Sequence, residues 1–396
     1  MNIFWISNAP FTKTGYGVQT NLFLSKLKEM GHNLACLCYY GLEGAAINFN
    51  GIVCYPKAHH PYGMDILAAH AAHFRSDIIV SLMDAWVFTP GANGGIPWAA
   101  YYPVDHEPMP EKVRTSIAQA NFRIAMSKFG VEESRKAGLD CYYLPHAVDT
   151  NLYKPMDKLE AREKLKLPKD AFIVGTVAMN KGIPARKNFP QMLEAFAKFK
   201  QRHTDAIYYL HTEPLGIDNQ SFNIPEYCNI LGLRLGVDVF LPDPYQKFMN
   251  FDDNWMTTMY SALDVHLLAS AGEGFGIPTL EAQACGCPVI VGDWTASGEL
   301  CFAGRILDKK DALRFYTGLA SYQYIPHPRQ IEIALEAERE KPSSRERAVR
   351  MAQEYSVDNV AEKHLKPIFT EIEQRIMESR QRYQKVAEMR ANDGKQ

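Results

Sequence analysis

The sequence predicts an α/β protein of two doubly wound, Rossmann-like domains facing each other across a cleft. Three observations predict it. The chain is 396 residues long, beyond the ~250–300 residues at which a single core stops growing. Short β-rich runs alternate with longer helical patterns, and the alternation starts afresh after the segment Val148 to Pro168, which holds Pro155 and Pro168. Strands that alternate with helices imply a parallel sheet covered on both faces.

In the first series, Ile3 to Ile6, Asn33 to Tyr40, Asp77 to Leu82, Trp98 to Val104 and Phe122 to Met126 read as strands. Val18, Leu22, Leu24, Leu27 and Met30 lie near helical spacing, so Val18 to Met30 reads as the first helix, with Gly31 as its stop. In the second series, Ala171 to Ala178, Ala206 to His211, Val237 to Leu241, Asp264 to Ala269 and Pro288 to Val291 are the strands. Asn188 to Lys200 is the helix after the first of them. From Ser343 onward the pattern is charged and helical, and the tail after Gln374 is too polar to form a core. The expected division is 1–155, 156–355 and a helical segment 356–396 that packs back on the first domain.

Composition narrows the function classes. Hydrophobic content of 46% and charged content of 22% describe a folded soluble chain, and a formal net charge of −2 disfavours nucleic acid as the leading partner. The eight cysteines form no C-x-x-C, fall mostly in apolar runs and read as buried thiols in a reducing compartment. The start, Met1 to Ile6, has neither the basic region nor the length of a signal peptide, and no run approaches the ~18 apolar residues of a membrane span. The expected location is the cytoplasm. His70 and His73 lack a third ligand at metal spacing and read as an ordinary helical His-x-x-His; no metal is expected.

Chemistry concentrates in EGFGIPTLEAQACG, Glu273 to Gly286. The preceding strand delivers the chain to the carboxyl edge of the second sheet, where ligands of such sheets bind. Glu273 then lies in the strand-to-helix loop, and Glu281 about one turn into the helix opened by Pro278. Gly272, Gly274 and Gly276 remove side chains from the loop, so its N–H groups and the helix N-terminus can approach a ligand. Carboxylates beside such donors suit a polyhydroxylated ligand that carries phosphate. The alternative is that Glu281 caps its own helix and Glu273 is solvated.

The stretch EGFGIPTLEAQACGCPVIVGD resembles the Glu-seven-residues-Glu motif of family 4 retaining glycosyltransferases, which have the GT-B fold. Other segments resemble that family in the expected order: TGYGVQTNLFLSKLKEMGH with Gly15 and Gly17, YYPVDHEP with His106, LPHAVDTNLYKP between the domains, and VGTVAMNKGIPARKNFPQMLEAFAKF with Arg186 and Lys187. This chain departs from the pattern at His146 and Ala147, where the family has Asn and Gly, and in the longer loop before Arg186, which leaves Lys181 as a substitute for Arg186.

The resemblance implies retaining, metal-independent transfer of a sugar from a nucleoside-diphosphate sugar, UDP or GDP, to a hydroxyl acceptor that is a carbohydrate, lipid or protein glycan. No cofactor is permanently bound. By the resemblance, Arg186 and Lys187 hold the diphosphate, Glu273 and the Gly274-Phe275-Gly276 backbone contact the donor sugar, and Glu281 takes the ribose hydroxyls. His106 reaches the reacting sugar, with Asp105 as the competing candidate; Glu299 is a weaker nucleotide contact. No Asp-x-Asp occurs to hold a metal, so fixed cations would carry the leaving-group charge. Peripheral membrane contact by the first domain is compatible with the family. Competing classes are a transferase acting on hydroxymethylated DNA bases, a sugar-nucleotide epimerase and a degenerate nucleotide-binding module. A nicotinamide site is disfavoured: after Gly15 and Gly17 the third glycine position is Thr20.

Overall fold

The computed structural model describes residues 1–182, 184–216, 221–243, 245 and 254–393. Its first sheet contains β1 (Asn2–Asn8), β2 (Asn33–Tyr40), β3 (Ile47–Phe49), β4 (Ile52–Pro56), β5 (Ile78–Leu82), β6 (Trp98–Tyr102), β7 (Phe122–Ala125) and β8 (Tyr142–Tyr143). Their order is β3-β4-β2-β1-β5-β6-β7-β8, with all pairs parallel except the β3–β4 hairpin. The second sheet contains β9 (Phe172–Val177), β10 (Ala206–His211), β11 (Val239–Phe240), β12 (Val265–Leu268), β13 (Val289–Gly292) and β14 (Gly304–Leu307), in the order β11-β10-β9-β12-β13-β14. A separate antiparallel hairpin joins β15 (Ala312–Tyr316) and β16 (Tyr322–Pro326).

Both sheets are doubly wound, and each reverses direction at one point: between β1 and β5 in the first, between β9 and β12 in the second. Crevices open at the carboxyl ends of strands at such points. The loops that follow β1, β5, β9 and β12 are therefore the ones that build the cleft. The strands read from the sequence are present, most of them as apolar runs buried on both faces, with β5, β6 and β12 buried at every position; the one expected at 237–241 is shortened to the two residues of β11, beside an exposed Val237. The strands not read from the sequence are β3, β8 and β14, of four residues or fewer, the largely exposed β15, and β4 and β16, which are five residues long and partly buried.

One expectation is corrected at the first helix. It spans Gly15–Glu29 and not Val18 to Met30, because Thr14 is extended and its hydroxyl accepts from the Gly17 amide at 3.1 Å, closing the first turn earlier. Gly15 and Gly17 thus lie in that turn and not in a preceding loop. The other helices that shape the cleft are Phe189–Arg202, entered through Asn188 with φ 51°, and Ile277–Ala284, entered through Gly276 with φ 104°. That left-handed conformation is one a side chain rarely adopts, so a glycine stands there for a steric reason.

The chain crosses between the sheets twice, side by side: the Val148 amide donates to Tyr355 O at 2.9 Å and the Val357 amide to Val148 O at 3.1 Å. The long helix Lys366–Asp393 then lies against the first sheet. Leu365, Ile368, Phe369, Ile372 and Ile376 join the core cluster of Ile3, Trp5, Ile124 and Leu144. Glu373 pairs with the N-terminal ammonium at 3.2 Å and Arg380 with Asp77 at 2.6 Å. The polar tail after Gln374 is helical through Asp393, with Ile376 the last buried apolar residue among those whose burial is described. The same cluster takes in Phe275, Leu280, Ala284 and Leu300, so apolar packing runs continuously across the seam. His70 and His73 lie on the helix Leu67–His73 and pack on Tyr55, stacked at 4.6 Å and edge-on at 6.1 Å.

Candidate active site

The loops at the second sheet's switch point meet the loop after β6, one strand beyond the switch point of the first sheet. Arg186 and Lys187 end the loop after β9; Glu273 lies in the loop after β12; Asp105 and His106 follow β6. Lys187 Nζ pairs with Glu273 Oε1, and Arg186 Nη1 stands 3.6 Å from Glu273 Oε2 and 3.7 Å from Asp105 Oδ2. The loops are held by their own backbones: Ala271 N donates to Arg186 O at 2.8 Å, and Asn188 Nδ2 donates to Ala269 O at 2.8 Å. The Glu273 amide donates to Thr295 Oγ1 at 3.0 Å.

Burial and charge set the ionisation of this group. Desolvation pushes Glu273 up, but the Lys187 and Arg186 charges outweigh it and hold the carboxyl below its ordinary range. Asp105 shows the same balance, desolvation opposed by the His106 hydrogen bond and Arg186. Lys187 is lowered by desolvation and by neighbouring Arg186. Asp105 Oδ1 lies 2.7 Å from His106 Nδ1, a contact that orients the ring through that nitrogen.

The glycines have a different geometry from the one expected of them. A Cβ on Gly272 would lie 2.1 Å from Asp105 O, and one on Gly274 would lie 2.3 Å from Pro103 Cβ. Both therefore let the second domain's loop press against the first domain's 103–106 segment. Gly15 would place a Cβ 3.4 Å from Ile277 Cδ1, so the first domain's glycine turn rests on the N-terminal end of the Glu281 helix. Gly17 is packed at Thr12 and Ala9, and its amide is already held by Thr14.

The remaining predicted residues separate into two groups. Phe275 turns inward, edge-on to His146 at 5.1 Å, so its backbone and not its ring faces the loop. His146 is buried, held by the Tyr101 hydroxyl at 2.8 Å, and desolvation lowers it to about 3, so it is neutral. Glu281 is buried beneath the loop with Tyr260 OH donating to Oε2 at 3.0 Å, and desolvation raises it to about 7. Glu299 reaches the opposite domain: its Oε2 accepts from the Lys128 amide at 3.0 Å, at the start of the helix Lys128–Lys136, and desolvation raises it to about 7. Lys181 is exposed at the cleft, where its charge acts on Asp84.

Three features were missed from sequence. Asp84, after β5, and Tyr16, between the two glycines, face the same cleft, and their charges act on each other and on Asp105 and Arg186. The β15–β16 hairpin straps the domains together beside His106. Glu107 N donates to Tyr322 O at 3.0 Å, Gln323 Nε2 donates to Asp105 O at 3.2 Å, and Tyr324 OH donates to Glu107 Oε2 at 2.8 Å. The alternation of Leu313, Phe315, Tyr322 and Tyr324 around Thr317-Gly318 was the signal available for it.

Residues 171–320 match the family model described as "Glycosyl transferases group 1". The matched segment holds β9 to β15, and with them Arg186, Lys187, Glu273 and Glu281. D-inositol 3-phosphate glycosyltransferase 2 of Catenulispora acidiphila is 27% identical over 188 residues, 46% of this chain and 42% of that protein. The match thus spans about two fifths of that relative's length. Sucrose-phosphate synthase from Thermosynechococcus elongatus superposes with a TM-score of 0.71 at 15% identity, over 94% of this chain and 98% of that one. The Anabaena protein HepE, solved with UDP-glucose, gives 0.68 at 16% identity over 93% and 100%. The fold is GT-B, as the family 4 resemblance implied. Among the described residues no helix is long and apolar enough to cross a membrane, and no group of three His, Cys, Asp or Glu is placed to hold a metal ion.

Proposed function

We propose that the protein transfers a sugar from a nucleoside-diphosphate sugar to a hydroxyl acceptor, with retention and without a metal. The observation that carries this reading is the cluster of Lys187 and Arg186 around Glu273, set against the Gly276 helix start and directly across from Asp105 and His106. UDP is the favoured carrier, because the similar HepE structure contains UDP-glucose.

In this reading the donor diphosphate displaces Glu273 from Lys187 and takes Lys187 and Arg186 as its counter-charges, Arg as a fork and Lys as a point charge. Glu273, held ionised, then accepts from donor sugar hydroxyls, and the His106 ring hydrogen-bonds another. Glu281 accepts from the ribose hydroxyls. As the anomeric carbon separates from the diphosphate oxygen, the fixed cations and helix amides stabilise the departing charge without reorganising. The acceptor oxygen bonds to the anomeric carbon on the face the diphosphate leaves, and its proton passes to the departing phosphate oxygen. Acceptor type and linkage belong to the first domain's loops.

Thermal unfolding with UDP, GDP, ADP, dTDP, CMP and NAD tests this, because a ligand that binds only the folded state raises the melting temperature. One nucleoside diphosphate should raise it, and the shift should vanish in Glu281→Ala and Lys187→Ala. A response to NAD alone, or to none of them with the protein folded, overturns the donor site.

A further inference from the structure

We infer that Asp84 and Tyr16 form the acceptor-binding edge of the cleft, and that the acceptor there is an uncharged polyol taken in preference to its phosphate ester. The inference rests on the transferase reading above. Its geometric basis is the order of the first sheet. The loops after β1, β5 and β6 are neighbours at the switch point, so Asp84, which follows β5, stands between the turn that holds Tyr16 and the loop that holds Asp105 and His106.

Asp84 reaches across to the Tyr16 side chain and does not serve its own turn. It occupies the N-cap of the short turn Ala85–Val87, where an aspartate ordinarily accepts from a backbone amide, yet its side chain makes no capping hydrogen bond. It is exposed to the cleft. Arg186, the cation that acts most on Asp84 from the opposite wall, pairs with Asp105 and Glu273. A carboxylate held open at the edge of a sugar-transfer cleft, with the Tyr16 hydroxyl as its polar neighbour, is equipped to accept from acceptor hydroxyls. Trp86, 45% exposed in the same turn, and the edge-on pair Tyr39 and Tyr62, with ring centroids 5.5 Å apart, supply the apolar faces on which a sugar ring stacks.

Charge decides between a free polyol and a phosphate ester. The cations that act most on Asp84 are Arg186 and Lys181, both from the opposite domain; the strongest influences on Tyr39 include no cation. Once a donor diphosphate occupies Lys187 and Arg186, the exposed Lys181 is the cation left to act on Asp84, and the two carboxylates of Asp84 and Asp105 outnumber it at the acceptor edge. A second phosphate at that edge meets like charge in a low-dielectric cleft, which disfavours it.

The test uses the full chain with UDP-glucose, or the sugar nucleotide whose diphosphate binds, and follows diphosphate release. Myo-inositol, glucose and fructose are compared with their monophosphates as acceptors. The neutral members should be used with at least a tenfold advantage in kcat/KM. Asp84→Asn should raise the acceptor KM ~10-fold while nucleoside-diphosphate affinity stays unchanged and the melting temperature does not fall, Asp84→Glu should restore part of the loss, and Asp84→Lys should invert the preference. A preference of the wild type for the phosphorylated members, transfer to neither set, or an acceptor KM unchanged in Asp84→Asn overturns the inference while leaving the donor site standing. Loss of nucleotide binding in the wild type would instead overturn the transferase reading itself.

Discussion

Replacing Glu281 with Gln should make the protein more stable and less able to bind its nucleotide. The carboxyl is buried and its ordinary value of 4.5 is raised to about 7 by desolvation. The unfolded chain therefore releases this proton near 4.5, the folded chain near 7. Between those values the folded state binds more protons than the unfolded one, so stability falls as pH rises through the window and stays low above it. The shift of about 2.5 units corresponds to roughly 3 kcal/mol at pH 8 and about 1 kcal/mol at pH 5. Gln keeps an oxygen for the Tyr260 hydroxyl and removes the charge. Against wild type, Glu281→Gln should melt several °C higher at pH 8, with most of the gain gone at pH 5, for a domain of this size. Glu299 titrates in the same window in both proteins and cancels from the comparison. The same variant should bind UDP at least ~10-fold more weakly, since a hydrogen bond to a charged group contributes about 1.5–3 kcal/mol. Melting curves across pH, with calorimetric titration of UDP, read both. An unchanged or lower melting temperature at pH 8 would refute the argument that the site holds its ribose-binding carboxylate at a cost in stability.

Three further outcomes follow from the same geometry. Lys187→Ala removes a fixed cation from the departing diphosphate and should lower kcat/KM by ~10²–10³, in the range found for loss of one transition-state-stabilising group; steady-state diphosphate release checks it, and a change below threefold contradicts the role. Asp105→Asn should lower kcat by at least tenfold with UDP affinity retained, because the ring of His106 loses the carboxylate that orients Nδ1; calorimetry beside kinetics separates the two. Gly274→Ala puts a Cβ 2.3 Å from Pro103 Cβ, so the loops must part: small-angle scattering should show a larger radius of gyration, and activity should fall with the second domain still folded.

Legibility followed burial. β5, β6 and β12 could be read because both faces are covered and nearly every position is apolar, Ser81 and His266 excepted, a pattern that needs no knowledge of the partner strand. The β15–β16 hairpin could not, since Leu313 and Tyr316 point outward and the hairpin takes its stability from Glu107 and Asp105, some two hundred positions earlier. The helix start at Gly15 was missed because the decisive bond, Thr14 to the Gly17 amide, competes with a plain loop reading of Gly-Tyr-Gly. Within the site, Glu273, Glu281, Arg186 and Lys187 were legible as a motif, for they lie beside strand ends on one domain. Asp84 was not: an isolated aspartate after a strand looks like any turn residue until the order of the sheet sets it beside Asp105. The glycines show the complementary limit, for the sequence marks where a side chain is missing but not which domain occupies the space.

The return of the helix Lys366–Asp393 to the first sheet has a consequence for biogenesis. The first domain's core cluster is completed by Ala352, Val360, Leu365, Phe369 and Ile372, residues that leave the ribosome some two hundred positions after Val148. At the usual rates of synthesis that is a delay of roughly ten to forty seconds. Through that interval the nascent first domain exposes the apolar face on which the helix will seat, while the second domain emerges and can fold on its own sheet. The order of completion is thus inverted relative to the order of translation, and a segment made after the second domain is the one that finishes the first.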